Sequence, residues 1–101
     1  MAVLKIVLTS NAYADWQNCV SFVLNVSKEA AIKLDDEIKA AIDNLSNYPE
    51  KNPIFEMNRV FPFVVRKSII NRRYIILFSI NEQEILVYRI LDVRRKFEAL
   101  I

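Results

Sequence analysis

The side chains able to hold an anion or transfer a proton are unevenly spread over these 101 residues. Residues 1–58 contain five lysines, no arginine and eight acidic residues. Residues 59–101 contain nine basic residues against four acidic ones, and all the arginines are among them: Arg59, Arg66, Arg72, Arg73, Arg89, Arg94 and Arg95. Arginine suits two-pronged contact with phosphate or carboxylate, so this segregation points to an anionic partner. A solvated charged surface is the plainer reading of the same pattern. The chain has no histidine, which excludes imidazole acid/base catalysis and the Ser/His/Asp and Cys/His nucleophile arrangements. It has no glycine, which excludes phosphate-cradling loops that need close backbone approach. Cys19, the single cysteine, makes neither an internal disulfide nor a thiolate cluster, so no metal and no cofactor is expected.

These residues sit in a composition of 53% hydrophobic and 26% charged residues, that of a globular chain, and residues 1–101 are read as one domain. The longest apolar run, Tyr74 to Phe78, is far shorter than the roughly 20 residues of a membrane span. The start, Met1-Ala2-Val3-Leu4-Lys5, lacks the pattern of a secretory leader, so a cytoplasmic location is expected.

Residues 3–8 are rich in β-formers, and Thr9-Ser10-Asn11 then offers helix-capping chemistry. From Ala12, the residues Trp16, Cys19, Val20 and Val23 fall on one helical face, predicting a helix to about Asn25. Ser27 can cap a second helix, whose stripe Ala31, Leu34, Ile38, Ala41, Ile42 and Leu45 runs to near Tyr48-Pro49. The short break predicts an antiparallel helical hairpin. Pro49 to Pro62 reads as a loop. Three strands follow, Phe63–Ile69, Arg73–Ile80 and Glu84–Asp92, joined closely enough for an antiparallel meander. The expected class is α+β, with the helices on one face of the sheet.

Strict alternation puts Tyr74, Ile76, Phe78 and Ile80 on one face of the middle strand, and Arg73, Ile75, Leu77 and Ser79 on the other. In the last strand it sets Leu86, Tyr88 and Ile90 against Ile85, Val87, Arg89 and Leu91. Both faces are apolar. A partner is one way to cover the face opposite the helices, with Ile75, Leu77, Val87, Arg89 and Leu91 as its contacts; burial by loops and the C-terminal tail is the other.

This ordered set resembles the RelE/ParE toxin superfamily of bacterial type II toxin–antitoxin modules over nearly the whole chain. The first half resembles the family's helical hairpin through Trp16, Ser27 to Ala31, Ile38 to Leu45 and Tyr48-Pro49-Glu50. The second half is similar to its three-strand ending through Val65-Arg66-Lys67, Arg73 to Ile80, and Ile85 to Arg95 with the closing arginine pair. The resemblance implies a toxin held inactive by a co-expressed antitoxin, through which alone operator DNA would be engaged. RelE-like members cleave mRNA on the ribosome, whereas ParE-like members inhibit DNA gyrase and are not nucleases.

A ribonuclease needs a base, an acid and cations for the developing phosphorane charge. Arg66, Lys67, Arg73, Arg94 and Arg95 are the candidates for catalytic, phosphate or target contact, with Lys67 as a possible proton donor. The acid/base pair is not evident. Many ribosome-dependent members carry Tyr or His in the C-terminal segment, where this chain has Lys96-Phe97. Glu56, Tyr74 and Tyr88 are the substitutes on offer. A gyrase inhibitor needs only a binding surface, and the long hairpin and the apolar tail ending at Ile101 fit that branch better. The expectation therefore leans to a ParE-like gyrase inhibitor, with a RelE-like nuclease, a degenerate inactive toxin or a non-toxin binding domain as alternatives. Arg72 and Arg89 are read instead as pairing with Glu82, Glu84, Asp92 or antitoxin acids, Cys19 as a core residue, and Tyr13, Trp16, Phe22, Phe55, Phe61 and Phe63 as packing anchors.

Overall fold

The computed structural model describes residues 4–55 and 63–94. Arg59, Glu56, Phe61, Arg95 and the tail from Lys96 to Ile101 lie outside them. Strand β1 (Lys5–Leu8) leads into helix α1 (Ser10–Leu24), followed by α2 (Lys28–Asp43), and then by β2 (Arg66–Ile70), β3 (Tyr74–Ile80) and β4 (Glu84–Asp92). The class is α+β, as the patterning predicts.

Side-chain caps set where the helices begin. The Thr9 hydroxyl accepts the Ala12 N–H at 3.0 Å, and the Ser27 hydroxyl accepts that of Ala30 at 3.1 Å, each satisfying a donor that a helix N-terminus leaves without a partner. The stripe of α2 continues past its end into a single 3₁₀ turn, Asn44–Ser46, which carries Leu45 into the core. The proline-rich segment is more ordered at its start than a plain loop. Tyr48 takes φ 52°, Pro49–Lys51 form another 3₁₀ turn, and Ile54 bridges Arg66.

The sheet order is β1-β4-β3-β2, with β1 parallel to β4 and the other neighbours antiparallel. Strand β2 starts at Arg66 rather than Phe63, and just before it the Val65 carbonyl accepts the Phe55 N–H at 2.7 Å. Arg73 donates its N–H to the Ile70 carbonyl, closing a two-residue turn in which Asn71 and Arg72 have φ of 53° and 58°. Two successive positive φ values are the type I′ turn, whose twist matches a hairpin. A chain without glycine fills it with asparagine and arginine.

Strict alternation fails at one place. Leu77 stands opposite Arg89 and Phe78 opposite Val87, so Tyr88 is an extra residue on β4. This bulge moves the side-chain phase by one. Ile85, Val87 and Ile90 consequently share the helix-side core with Tyr74, Ile76 and Phe78, packed on Leu34, Ile38 and Ile42. Val87 is therefore not on the open face expected from its spacing. On the opposite face Ile75, Leu77 and Leu91 form a second cluster with Phe55 and Val65, and Phe63 stacks on Tyr88 at 5.1 Å between ring centroids. The chain's own segments cover that face. No helix among the described residues is long and apolar enough to cross a membrane.

Candidate functional site

The hairpin turn delivers Arg73 to the end of the sheet where β4 finishes. Arg73 lends its carbonyl to the Val93 N–H at 2.7 Å, and its guanidinium lies 5.0 Å from the centre of the Tyr74 ring, a cation–π distance. Asp92, the last residue of β4, is buried and stands between two cations. Its carboxylate is 3.6 Å from Arg73 Nε and 3.3 Å from an Arg94 terminal nitrogen, and it accepts the Arg94 backbone N–H at 3.0 Å. At 3.6 Å the Arg73 contact is an ion pair without a formed hydrogen bond, and Arg73 Nε is buried with no acceptor. One carboxylate between two guanidinium groups leaves this end of the sheet net positive. Arg94 is the accessible member, with its side chain 55% exposed.

Arg66 is not part of this group. It sits at the opposite end of β2, about 13 Å away at the usual rise per residue. There it donates to the carbonyls of Glu50 at 3.1 Å and Asn52 at 2.7 Å, holding the 3₁₀ turn against the strand. Lys67 pairs with Leu77 across the strands and donates its N–H to the Pro53 carbonyl at 3.0 Å. Arg72 is exposed in the turn. Of the five residues proposed for target contact, the structure brings together Arg73 and Arg94, leaves Arg66 and Lys67 elsewhere, and does not describe Arg95.

Both tyrosines among the proton-transfer candidates are engaged. Tyr74 is buried in the core, and the Tyr88 hydroxyl shares a 3.0 Å hydrogen bond with Ser79 Oγ. Glu56 is outside the described residues. Among the proposed partner contacts, Ile75, Leu77 and Leu91 are buried under Phe55 and Val65, and Val87 belongs to the helix-side core.

Arg89 pairs, but with Asp15 of α1 rather than with Glu82, Glu84 or Asp92. Its Nε and a terminal nitrogen donate to the two Asp15 oxygens at 2.7 and 2.9 Å, and the Ile90 N–H adds a third bond at 3.0 Å. The hydrogen bonds to Asp15 hold the Arg89 guanidinium above the ordinary arginine range, against the opposing cost of burial. The two residues are 74 positions apart, so no local spacing reveals them. Asp92 left a fainter trace, as the lone acid closing an apolar strand.

The site thus lies on a two-helix hairpin packed against one face of a four-stranded mixed sheet, with Arg73 and Arg94 at one sheet end. The chain is similar to a solved chain from the chromosomal ParDE toxin–antitoxin system of P. aeruginosa, with a TM-score of 0.70 at 21% identity over 89% of this chain and 96% of that one. At that identity the likeness establishes the fold. The family model for the ParE toxin of the type II toxin–antitoxin system parDE matches residues 6–97, and the chain belongs to this family. It is thus a ParE-like toxin. No curated protein matches it.

Proposed function

We propose that this toxin arrests growth by inhibiting DNA gyrase in the cytoplasm and that a cognate antitoxin neutralises it. The match to the ParE toxin model over residues 6–97 carries this reading. The side chains support it. The sequence has no histidine, Tyr74 is enclosed in the core, and the Tyr88 hydroxyl is bound to Ser79. A nuclease needs a base and an acid free to reach the ribose and the leaving oxygen. A gyrase inhibitor needs only a surface, and the positive sheet end at Arg73 and Arg94 is the anion-seeking part of one.

The test is induced expression of the chain, following reporter-plasmid supercoiling and mRNA integrity in the same culture, with a gyrase supercoiling assay on the purified toxin. Loss of supercoiling with intact mRNA is the expected result. Rapid cleavage of translated mRNA overturns it in favour of a ribosome-dependent nuclease, and normal growth with neither effect marks an inactive toxin. Co-expression of the protein encoded beside the toxin is expected to restore growth.

A further inference from the structure

We propose that the toxin holds backbone phosphates of duplex DNA with a row of cations, Lys33, Arg73 and Arg94, that runs from α2 past the β2–β3 turn to the end of β4. The choice of DNA as the anion rests on the gyrase reading above, since gyrase works on a duplex. Between α2 and the turn lies a cleft of about 220 Å³, whose described charged lining residues are Lys33, Glu37 and Arg73. Leu34 and Tyr74, both buried, line it from the core side. Its cations are unmatched. Lys33 is exposed, and its ammonium group has no ion pair or hydrogen bond among the described residues. The Arg73 guanidinium meets only the Tyr74 ring and, at 3.6 Å, the Asp92 carboxylate among those residues. The acids nearby are engaged. Glu37 accepts the Asn71 side-chain amide, and Asp92 accepts the Arg94 N–H while shared between two arginines.

Arg94 extends the row beyond the cleft. One of its terminal nitrogens and Arg73 Nε contact the same Asp92 oxygen, so the two guanidinium groups lie side by side at the sheet end, with Arg94 the accessible one. Lys33 and Arg73 share a cleft, and Arg73 and Arg94 share a carboxylate, so the three cations form one continuous strip over three elements. Cations strung out in this way, rather than converging on a point, suit an anion that repeats. A duplex carries one charge for roughly every 1.7 Å of its axis, and each phosphate neutralised releases condensed counterions. Contacts to phosphate fix position without reading sequence, so the strip needs no side chain that reaches a base. An acidic protein surface is the competing anion, and the experiment separates the two.

The experiment measures binding of the purified full-length toxin to a short fluorescent duplex by anisotropy over a series of salt concentrations, with a polyglutamate peptide of equal charge as a second probe. Lys33→Gln and Arg94→Gln are each expected to reduce the slope of log affinity against log salt by about one, and to weaken duplex binding by about fivefold to tenfold at roughly 0.1 M salt. Lys5→Gln should change neither, because Lys5 sits beside Glu84, at the other end of β4 from Asp92. All three side chains are exposed, and melting curves confirm that the variants fold. Unchanged slope and affinity in both Lys33→Gln and Arg94→Gln overturn the inference. Polyglutamate that binds as tightly as the duplex also overturns it, and assigns the strip to an acidic protein surface. Supercoiling by gyrase is assayed with the same preparations. A toxin that binds the duplex through these residues yet leaves supercoiling untouched refutes the gyrase reading and leaves the phosphate strip standing, whereas inhibition of gyrase without it does the reverse.

Discussion

Arg89 on β4 and Asp15 on α1 form a two-pronged ion pair that fastens the helical hairpin to the sheet. The same carboxylate takes the Ile90 N–H, so one aspartate satisfies both a side chain and the backbone next to the β4 bulge. Replacing Asp15 with Ala removes the two-pronged acceptor of a largely buried guanidinium and the acceptor of the Ile90 N–H. It is expected to cost about 2–3 kcal/mol, seen as a lower urea midpoint at unchanged slope. Replacing both partners with apolar residues recovers part of that loss. Because Arg89 is held above the ordinary arginine range, the stability it contributes is present below that range and is lost only as pH rises through it. Its contribution is therefore constant from about pH 7 to pH 10.

The two helix caps differ in what else they do. Ser27 only caps α2, and Ser27→Ala should cost about 1 kcal/mol. Thr9 caps α1 and also donates its hydroxyl to the Tyr88 carbonyl at 2.8 Å, across 79 residues. Thr9→Val should therefore cost about 2 kcal/mol, roughly twice as much. Equal losses in thermal unfolding would mean that the Tyr88 contact adds nothing.

Arg66 and Arg94 should also separate. Arg66 binds two carbonyls of the 3₁₀ turn, so Arg66→Ala is expected to lower stability by about 1–2 kcal/mol, and any loss of toxicity follows that fall. Arg94 is half exposed at the sheet end, and Arg94→Ala should change stability by less than about 1 kcal/mol while relieving growth arrest. Growth assays paired with melting curves decide this. An Arg94→Ala toxin that melts normally and remains fully toxic removes Arg94 from the target surface.

Some of this design is legible along the chain and some is not. Ser27 followed by the stripe from Ala31 to Leu45 announces α2, because cap and periodicity are local. The turn at Asn71 is legible for the same reason. The bulge at Tyr88 leaves no local mark, and it overrides the alternation that would put Val87 opposite the helices. The parallel seat of β1 beside β4 is equally silent, since only the finished sheet decides which edge β1 joins. The sequence leaves open whether a partner or the chain's own loops cover the outer face, because the cover, Phe55 and Val65, comes from segments with no strand or helix pattern long enough to announce them. At the site, the arginines were visible by type, but Asp15 and Asp92, which decide which arginines are tied down, depend on long-range pairing.

The Asn71-Arg72 turn yields a prediction of the opposite sign. Arg72 has φ 58°, a left-handed conformation that costs a residue with a Cβ roughly 1–2 kcal/mol. Glycine removes that cost and gives Asn-Gly, the preferred pair for a type I′ turn, at the expense of greater freedom in the unfolded chain. Arg72→Gly should therefore raise stability by about 0.5–1 kcal/mol. Arg72 is exposed and appears in neither the Asp92 cluster nor the Arg66 cap, so growth arrest should persist in this variant. Calorimetry and a growth assay on the same protein check both parts. A more stable toxin that has lost its activity would extend the target surface from Arg73 and Arg94 to the turn itself.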